Sequence, residues 1–145
     1  MHRGVKGAAG EIGHITYITN GMQCACGKLG CIEAYASGSS IERAARARVL
    51  SGEKTMLADM PSADAKAVCK AARAGDKVAF DILTCAAEAM GRAVAIAAHT
   101  INPDIITLGT LAFSAADLLM PVVMEVVEKE VWSRIRDGLH IMPSP

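Results

Sequence analysis

The chain has 145 residues, of which 52% are hydrophobic and 21% charged, a size and composition that fit one packed domain and exclude a disordered segment. Fifteen basic residues balance fifteen acidic residues, so net charge gives no reason to expect a nucleic-acid or anionic-membrane partner. The longest charge-free helical stretch, residues 93–103, is far shorter than the roughly 20 apolar residues of a membrane span, and we expect no membrane association.

The first third of the chain is predicted to form a strand, a loop and a broken helix. Alternating isoleucine and aromatic residues over 12–19 indicate a half-buried strand. Residues 22–31 have no period and are expected to form an irregular loop. A helical pattern over 31–49 is interrupted once, and Ser39 or Ser40 is expected to cap its second part.

Two further helices are predicted in the middle of the chain. Residues 51–61 are expected to be a surface connection, and a helix over 63–74 follows, with Ser62 as its N-cap. Asp76 then opens a long helix that runs to about residue 101. One stripe of that helix consists mainly of small residues, so its neighbours are expected to approach closely.

The last third is predicted to be strand, helix, strand. Residues 105–108 read as a short buried strand, a helix follows over 114–135 with Pro121 restarting it at a first-turn position, and residues 139–142 form a last strand. Strands alternating with helices predict an α/β fold. Three short strands are few for so many helices, and both ends of the chain look cut. We therefore expect an incomplete domain.

The cysteines and the amino terminus favour the cytoplasm. Five cysteines are an odd number, and three of them fall within residues 24–31. This pattern is typical of a metal or catalytic cluster in a reducing compartment and not of a disulfide framework. Residues 1–7 carry charges, but neither an apolar run nor a cleavage signal follows them, so we predict no signal peptide.

Three of these cysteines and one histidine form the strongest local signal. The four residues are His14, Cys24, Cys26 and Cys31. Zinc takes four tetrahedral thiolate and imidazole ligands, and three cysteines with one histidine are one of its closed structural sets. Gly27 and Gly30 allow the tight turns that return Cys31 to the other two cysteines. The alternative is three buried free thiols beside an unrelated histidine, while a disulfide between Cys24 and Cys26 is geometrically poor.

Glu11 and Glu33 flank this cluster in the sequence. A folded metal loop would bring both carboxylates to His14, and carboxylates with an imidazole suit a hydroxyl-rich ligand. Taken singly, each glutamate is more often a helix-cap or surface charge. Neither nucleotide fingerprint, G-x-G-x-x-G or the P-loop, occurs in the sequence. Gly109 follows a predicted strand, where glycine either lets the backbone approach a nucleotide or marks a plain turn.

Residues 10–14 (GEIGH) and 24–33 (CACGKLGCIE) resemble two linked signatures of the ROK family of sugar kinases and repressors, E-x-G-H and C-x-C-G-x-x-G-C-x-E. The likeness continues through residues 34–38, which resemble the kinase branch, and more weakly through 102–109 to the end of the chain. It covers essentially the whole chain, but only the central and C-terminal part of the family's pattern.

The resemblance implies a fold, ligands and partners. The fold would be part of the two-lobed actin-like ATPase fold, of the ribonuclease H-like, hexokinase type, with a zinc loop. Zinc would be structural, and the full-length protein would use ATP and Mg²⁺. The sugar would be a hexose or an N-acetylhexosamine, and family members often pair as homo-oligomers. The implied ligands are His14, Cys24, Cys26 and Cys31 for zinc, Glu11, His14 and Glu33 for sugar hydroxyls, and Gly109 for the nucleotide.

The sequence departs from the family's pattern at the catalytic elements. The family's N-D base motif and D-x-G-G-T phosphate loop are expected before Met1, and neither occurs in the 145 residues. Thr110 follows Gly109 where the family usually has consecutive glycines. The resemblance therefore implies an incomplete ROK domain over 1–145 that lacks the phosphate-binding and catalytic-base region.

Three functions follow from that resemblance. The first is a fragment of a glucokinase-like, ATP-dependent hexose kinase that is inactive alone, so that we assign no catalytic residue to this chain. The second is a fragment of a sugar-responsive transcriptional repressor, whose DNA-binding helices would precede Met1. The third is a non-catalytic sugar-binding remnant.

Overall fold

The computed structural model of the chain describes residues 3–144, which form seven α-helices and a small parallel sheet. The helices are α1 (Glu33–Ala36), α2 (Gly38–Leu50), α3 (Ala65–Arg73), α4 (Lys77–Ile101), α5 (Leu111–Ser114), α6 (Ala116–Glu130) and α7 (Ser133–Arg136). The strands are β1 (Ile105–Leu108) and β2 (His140–Pro143), and two 3₁₀ turns occupy Ile12–His14 and Met56–Asp59. This arrangement confirms the expected mixture of helices and strands.

Helix α4 is the centre of the molecule, and it has the boundaries that the sequence predicts. The Asp76 carboxylate accepts a hydrogen bond from the N–H of Ala79 at 2.9 Å, which caps the helix. Asn102 ends it in the left-handed conformation, at φ 49°. The small-residue face allows close packing, because a Cβ at Gly91 would lie 2.6 Å from the side chain of Val126 in α6.

Helices α2 and α3 begin at caps other than those predicted from the sequence. Ser37, not Ser39 or Ser40, is extended at ψ 155° and accepts a hydrogen bond from the N–H of Ser40. Asp64, not Ser62, caps α3 in the same way through the N–H of Ala67, at 2.9 Å. In both helices the residue with extended backbone is the one whose side chain faces the free N–H groups of the first turn.

The strand predicted over residues 12–19 is wrong. Its first part is the 3₁₀ turn, and its pairing is limited to an isolated bridge between Thr16 and Cys31. Ile15 and Ile18 are each 40% exposed, so the alternation of isoleucines does not mark a buried face. The N–H groups of Tyr17 and Ile18 both donate to the carbonyl of Gly30, which holds this segment against the following loop without forming a ladder.

The connection between α2 and α3 is also more ordered than predicted. Leu57 in its 3₁₀ turn is only 2% exposed. The Asp76 carboxylate accepts a hydrogen bond from the Thr55 hydroxyl at 2.9 Å and another from the N–H of Met56. The same side chain therefore caps α4 and fastens the connection to it.

Strands β1 and β2 are parallel, with Ile105 opposite His140 and Leu108 opposite Pro143. The residues of each strand alternate between exposed and half-buried, so the prediction that β1 is a buried strand is wrong. Helix α6 continues through Pro121, and the predicted restart of the helix at this proline is wrong. The helix ends at Glu130, five residues earlier than predicted.

Two hydrophobic clusters meet along α4. The larger one joins α2, α3, α4 and α6, and includes Leu83, Leu119 and Val123. The smaller one packs the loop around Cys24 and Cys31, together with Tyr35 of α1, against Ala89 of α4. Within residues 3–144, none of the helices combines the length and apolar character needed to span a bilayer.

Candidate functional site

The loop between Tyr17 and Cys31 folds back on itself, and two glycines make this possible. Gln23 pairs with Leu29, and Gly27 turns the chain between them at φ 90°. Gly30, at φ 73°, lies so close to Ile18 that a Cβ would overlap the Ile18 carbonyl oxygen. These turns return the chain to its starting point, as the glycine positions predict.

The fold brings His14 and the three clustered cysteines together. The four ligand atoms all lie within 4.8 Å of one another. Nδ1 of His14 is 3.7 Å from Sγ of Cys24, and Sγ of Cys26 is 3.6 Å from Sγ of Cys31. Ligand sulfurs about 2.3 Å from one tetrahedral ion lie roughly 3.8 Å apart, so the donor types and their spacing fit a zinc ion. All five cysteines of the chain are free thiols.

The thiols differ in their surroundings. Cys24 and Cys31 are 4% and 0% exposed, respectively, whereas Cys26 is exposed. Burial raises the pKa of Cys31 to about 11, while the backbone N–H of Lys28 lowers the pKa of Cys26. The ammonium group of Lys28 also donates to the carbonyl of His14 at 2.6 Å. Lys28 therefore contacts the cluster from its solvent side through both its backbone and its side chain.

Glu11 and Glu33 lie on opposite sides of His14. Oε2 of Glu33 is 3.5 Å from Nδ1 of the imidazole, and Oε2 of Glu11 is 3.9 Å from Nε2. The side chains of Glu11 and Glu33 are 64% and 44% exposed. Because Nδ1 is the nitrogen that faces Cys24, Nε2 is left on the side of Glu11. Glu11, His14 and Glu33 therefore form an exposed polar corner beside the thiol cluster, made of two carboxylates and one imidazole.

Gly109 lies elsewhere, at an exposed position between β1 and α5. A Cβ at Gly109 would meet no atom of residues 3–144 within 4 Å, so no close contact within the chain requires glycine there. Thr110 follows it at φ 22°, an uncommon backbone conformation for a β-branched residue. The nucleotide contact of Gly109 stays a prediction.

Three residues that support the site were not identified from the sequence. Lys28 is one, and the others are Ser40, whose hydroxyl donates to the carbonyl of Glu33 at 2.8 Å, and Tyr35, whose hydroxyl accepts a hydrogen bond from the N–H of Met22 at 2.8 Å. Tyr35 and Ser40 lie on helices, where periodicity indicates burial but not the partner of a polar atom. No sequence motif marks these hydrogen bonds.

Comparison with known proteins gives the class to which this fold and this cluster belong. The sequence is 38% identical to a glucokinase of Halalkalibacterium halodurans over 140 residues, which are 93% of the chain and 42% of the enzyme. It is 28% identical over 141 residues to the transcriptional dual regulator NagC of Escherichia coli, with 97% of the chain and 34% of NagC covered. The relatives thus include both sugar kinases and DNA-binding regulators.

Solved structures give the same two groups. A ROK-family transcriptional regulator, a homologue of the E. coli Mlc protein, superposes with a TM-score of 0.88 at 30% identity, over 98% of this chain and 36% of the regulator. A ROK glucokinase from Streptomyces griseus, solved with glucose and AMPPNP, superposes at 0.78 with 27% identity, over 98% of this chain and 48% of the enzyme. The expected α/β fold, part of an actin-like ATPase fold, is confirmed.

Residues 1–143 match the sequence profile of the ROK family, and the chain belongs to that family. The family expectation drawn from the two cysteine and glutamate signatures is therefore confirmed. The chain spans between about a third and a half of the length of these relatives.

Proposed function

We propose that this chain is the sugar-recognition and metal-binding segment of a ROK sugar kinase of glucokinase type, which in its full length phosphorylates a hexose or N-acetylhexosamine with ATP and Mg²⁺. The observation that carries the proposal is the position of His14, between two carboxylates and against three thiols. The glucokinase relative at 38% identity favours the kinase. The five free thiols fit a reducing compartment, and we propose the cytoplasm.

The proposed metal is a structural zinc ion. It would be held by His14 through Nδ1 and by Cys24, Cys26 and Cys31. With four protein ligands it has no open coordination position, so it would supply folding free energy and not catalysis. Its effect on the site would be to fix the ring of His14 and the chain entering α1, since α1 begins at Glu33, two residues after the last thiol.

The proposed sugar contacts are made by Glu11, His14 and Glu33. Each carboxylate can accept hydrogen bonds from neighbouring hydroxyl groups, and Nε2 of His14 faces the same corner. Exposed fractions of 64% and 44% leave both carboxylates accessible to a ligand. Charged acceptors make the stronger class of hydrogen bond, which suits a ligand whose polar groups are all hydroxyls.

We further propose that phosphoryl transfer depends on residues outside this segment, so that residues 1–145 are an incomplete ROK domain. Neither the N-D base motif nor the D-x-G-G-T phosphate loop occurs among the 145 residues. A phosphoryl group needs both an oriented hydroxyl and charge stabilisation to be transferred. The chain alone is therefore expected not to phosphorylate glucose. Transfer from ATP to glucose by the purified chain, abolished by Glu11→Ala, would contradict this proposal.

The second candidate is a sugar-responsive repressor of the same family. The observation that favours it is the TM-score of 0.88 with the Mlc homologue, against 0.78 with the glucokinase. In that case the same corner would bind the inducing sugar, and a DNA-binding unit would be encoded upstream. The coding sequence upstream of Met1 decides between the two, because a D-x-G-G-T strand indicates a kinase and a winged helix-turn-helix indicates a repressor.

Titration calorimetry of the zinc-loaded chain with glucose and with N-acetylglucosamine tests sugar recognition. We expect one of the two sugars to bind, and Glu33→Gln to weaken binding about 10-fold or more, since a hydrogen bond to a charged acceptor contributes ~1.5–3 kcal/mol. Glu42→Gln is the matched control, because Glu42 pairs with Arg46 on α2. If neither sugar binds, or if both variants weaken binding equally, the proposed sugar site is wrong.

A further inference from the structure

The side chain of Tyr35 connects α1 to the metal loop. Tyr35 is only 6% exposed, and its hydroxyl accepts a hydrogen bond from the N–H of Met22 at 2.8 Å. The carbonyl of Met22 in turn accepts from the N–H of Gly30 at 2.8 Å. The backbone of Met22 is therefore fixed on both sides, just before the loop supplies Cys24.

The space for this hydroxyl depends on Gly21. A Cβ at Gly21 would overlap Oη of Tyr35, so any larger residue there would displace the hydroxyl or the loop. The ring of Tyr35 also packs edge-to-face on Tyr17, with centroids 5.5 Å apart and an interplanar angle of 84°. Tyr17 lies in turn under the guanidinium of Arg92 of α4, 5.7 Å from its ring centroid. The position of Tyr35 is thus fixed from three directions.

The thiol ligands of the proposed zinc site come from two segments of the chain, and His14 comes from a third, the 3₁₀ turn Ile12–His14. The loop carries Cys24 and Cys26, whereas Cys31 directly precedes α1, the helix that carries Glu33 and Tyr35. The hydrogen bond between Tyr35 and Met22 spans 13 residues and joins the start of the loop to this helix. It acts on the arrangement of the ligands without touching the metal or the sugar.

We propose that Tyr35 is a positioning residue of the metal site, whose hydroxyl holds the loop of Cys24 and Cys26 against the segment of Cys31 and Glu33. The inference rests on the proposed function in one respect, that the thiol cluster binds zinc. Groups that orient metal ligands typically change metal affinity by about 10- to 100-fold. Removal of the Tyr35 hydroxyl is therefore expected to weaken zinc binding by at least about 10-fold.

The experiment compares Tyr35→Phe with Tyr17→Phe in the full chain. Each change removes one hydroxyl and keeps the ring, and within residues 3–144 the hydroxyl of Tyr17 makes no hydrogen bond. Zinc affinity is measured by competition with a chromophoric chelator, and Co²⁺ absorption spectra report the ligand geometry. Thermal unfolding of the metal-free chains provides the readout that separates positioning from general stability.

We expect Tyr35→Phe to lower zinc affinity and alter the Co²⁺ spectrum, with little change in the unfolding of the metal-free chain, and Tyr17→Phe to bind as the parent does. Equal zinc affinities of the two variants would overturn the inference while leaving zinc binding intact. So would a Tyr35→Phe variant whose metal-free chain is less stable but whose zinc affinity is unchanged. If the parent chain binds no zinc, the metal part of the proposed function fails as well. Should Tyr35→Phe not fold, Gly21→Ala tests the same contact, because its Cβ would overlap the hydroxyl of Tyr35 while the nearest atoms of Ile18 lie 3.0 Å away. Unchanged zinc affinity in Gly21→Ala would then overturn the inference.

Discussion

Thr110 is the residue whose backbone is least compatible with its side chain. Its φ of 22° and ψ of −68° lie outside the common regions for a β-branched residue, and such a conformation costs about 1–3 kcal/mol. Glycine adopts positive φ freely but loses about 0.5–1 kcal/mol in chain entropy on folding. We expect Thr110→Gly to stabilise the chain by about 1 kcal/mol in urea unfolding.

Thr107→Gly is the comparison for that prediction, because Thr107 lies in β1, at a position with ordinary extended backbone. We expect this second change to be neutral or destabilising. If both glycine substitutions destabilise the chain equally, Thr110 is not strained. The result also bears on the family's pattern, since glycine is the residue that the ROK resemblance led us to expect after Gly109.

The residues proposed to bind zinc and sugar were the part of the site most accessible to prediction, because their chemistry is specific and a short loop fixes their spacing. The sequence correctly predicted that His14 would lie near Cys31 and Glu33. It could not indicate that Lys28 would bond the carbonyl of His14, since a lysine in a loop is ordinarily a solvated charge. Supporting residues of this kind depend on tertiary distances that no local pattern contains.

At the scale of elements, Asp76 combines two roles in one side chain. It caps α4 through Ala79 and holds the preceding connection through Thr55 and Met56. Replacement by alanine removes all three hydrogen bonds from a residue that is 7% exposed. We expect Asp76→Ala to destabilise the chain by about 1–3 kcal/mol in urea unfolding, more than Asp64→Ala, because Asp64 is only half-buried.

Asp76 should also contribute to the pH dependence of stability. Burial has the largest single effect and raises its pKa, but the hydrogen bonds from Ala79, Met56 and Thr55 together hold the pKa below the usual value. A carboxyl group with a lowered folded-state pKa stabilises the fold above its unfolded pKa of about 3.9. This stability is lost as the pH falls through the folded-state pKa. Unfolding measured between about pH 5 and pH 2 should show a smaller acid loss in Asp76→Asn than in the parent.

The separation of the two hydrophobic clusters predicts that removal of the proposed zinc ion has a local effect on the structure. The smaller cluster contains the loop cysteines and Tyr35 but only Ala89 among the fully buried residues of α4, whereas the larger cluster is independent of the loop. We expect a chelator to increase amide hydrogen exchange over residues 15–31 while α4 and α6 stay protected. Loss of protection in all three regions together would show that the molecule unfolds as one unit.

The sequence predicted correctly the ends of α4, which depend on neighbouring residues, and not the contacts that depend on distant ones. Asp76 and Asn102 fixed the ends of α4, because capping depends on residues adjacent in sequence. The segment 12–19 was misread as a strand, since its backbone partners lie on Gly30, across a loop whose path is set by two tight turns. Ser37 was missed as a cap because several serines follow one another there, and only the backbone conformation selects among them.

At the scale of the whole molecule, the small sheet leaves one face open. Ile105 is 54% exposed and Met142 44% exposed, although parallel sheets are ordinarily covered on both faces. We expect the isolated chain to self-associate through this face, so that sedimentation velocity gives a larger particle as the concentration rises.

Ile105→Glu and Met142→Glu should shift this equilibrium towards the monomer. Leu50→Glu is the matched control, because Leu50, at the end of α2, is 86% exposed and lies outside the sheet. A chain that remains monomeric at all concentrations, or an equal effect of all three substitutions, would contradict the prediction.

The smaller cluster has a practical consequence for optical spectroscopy. The chain has two tyrosines and one tryptophan, and both tyrosine rings lie at the cysteine loop, in edge-to-face contact. Trp132 lies between α6 and α7, where its backbone N–H donates to His99 of α4. Near-ultraviolet circular dichroism of the tyrosines should therefore report binding of the proposed zinc ion to the loop. Tryptophan fluorescence should report unfolding of the helices. The far-ultraviolet spectrum is dominated by α2, α4 and α6 and should change little when the proposed zinc ion is removed.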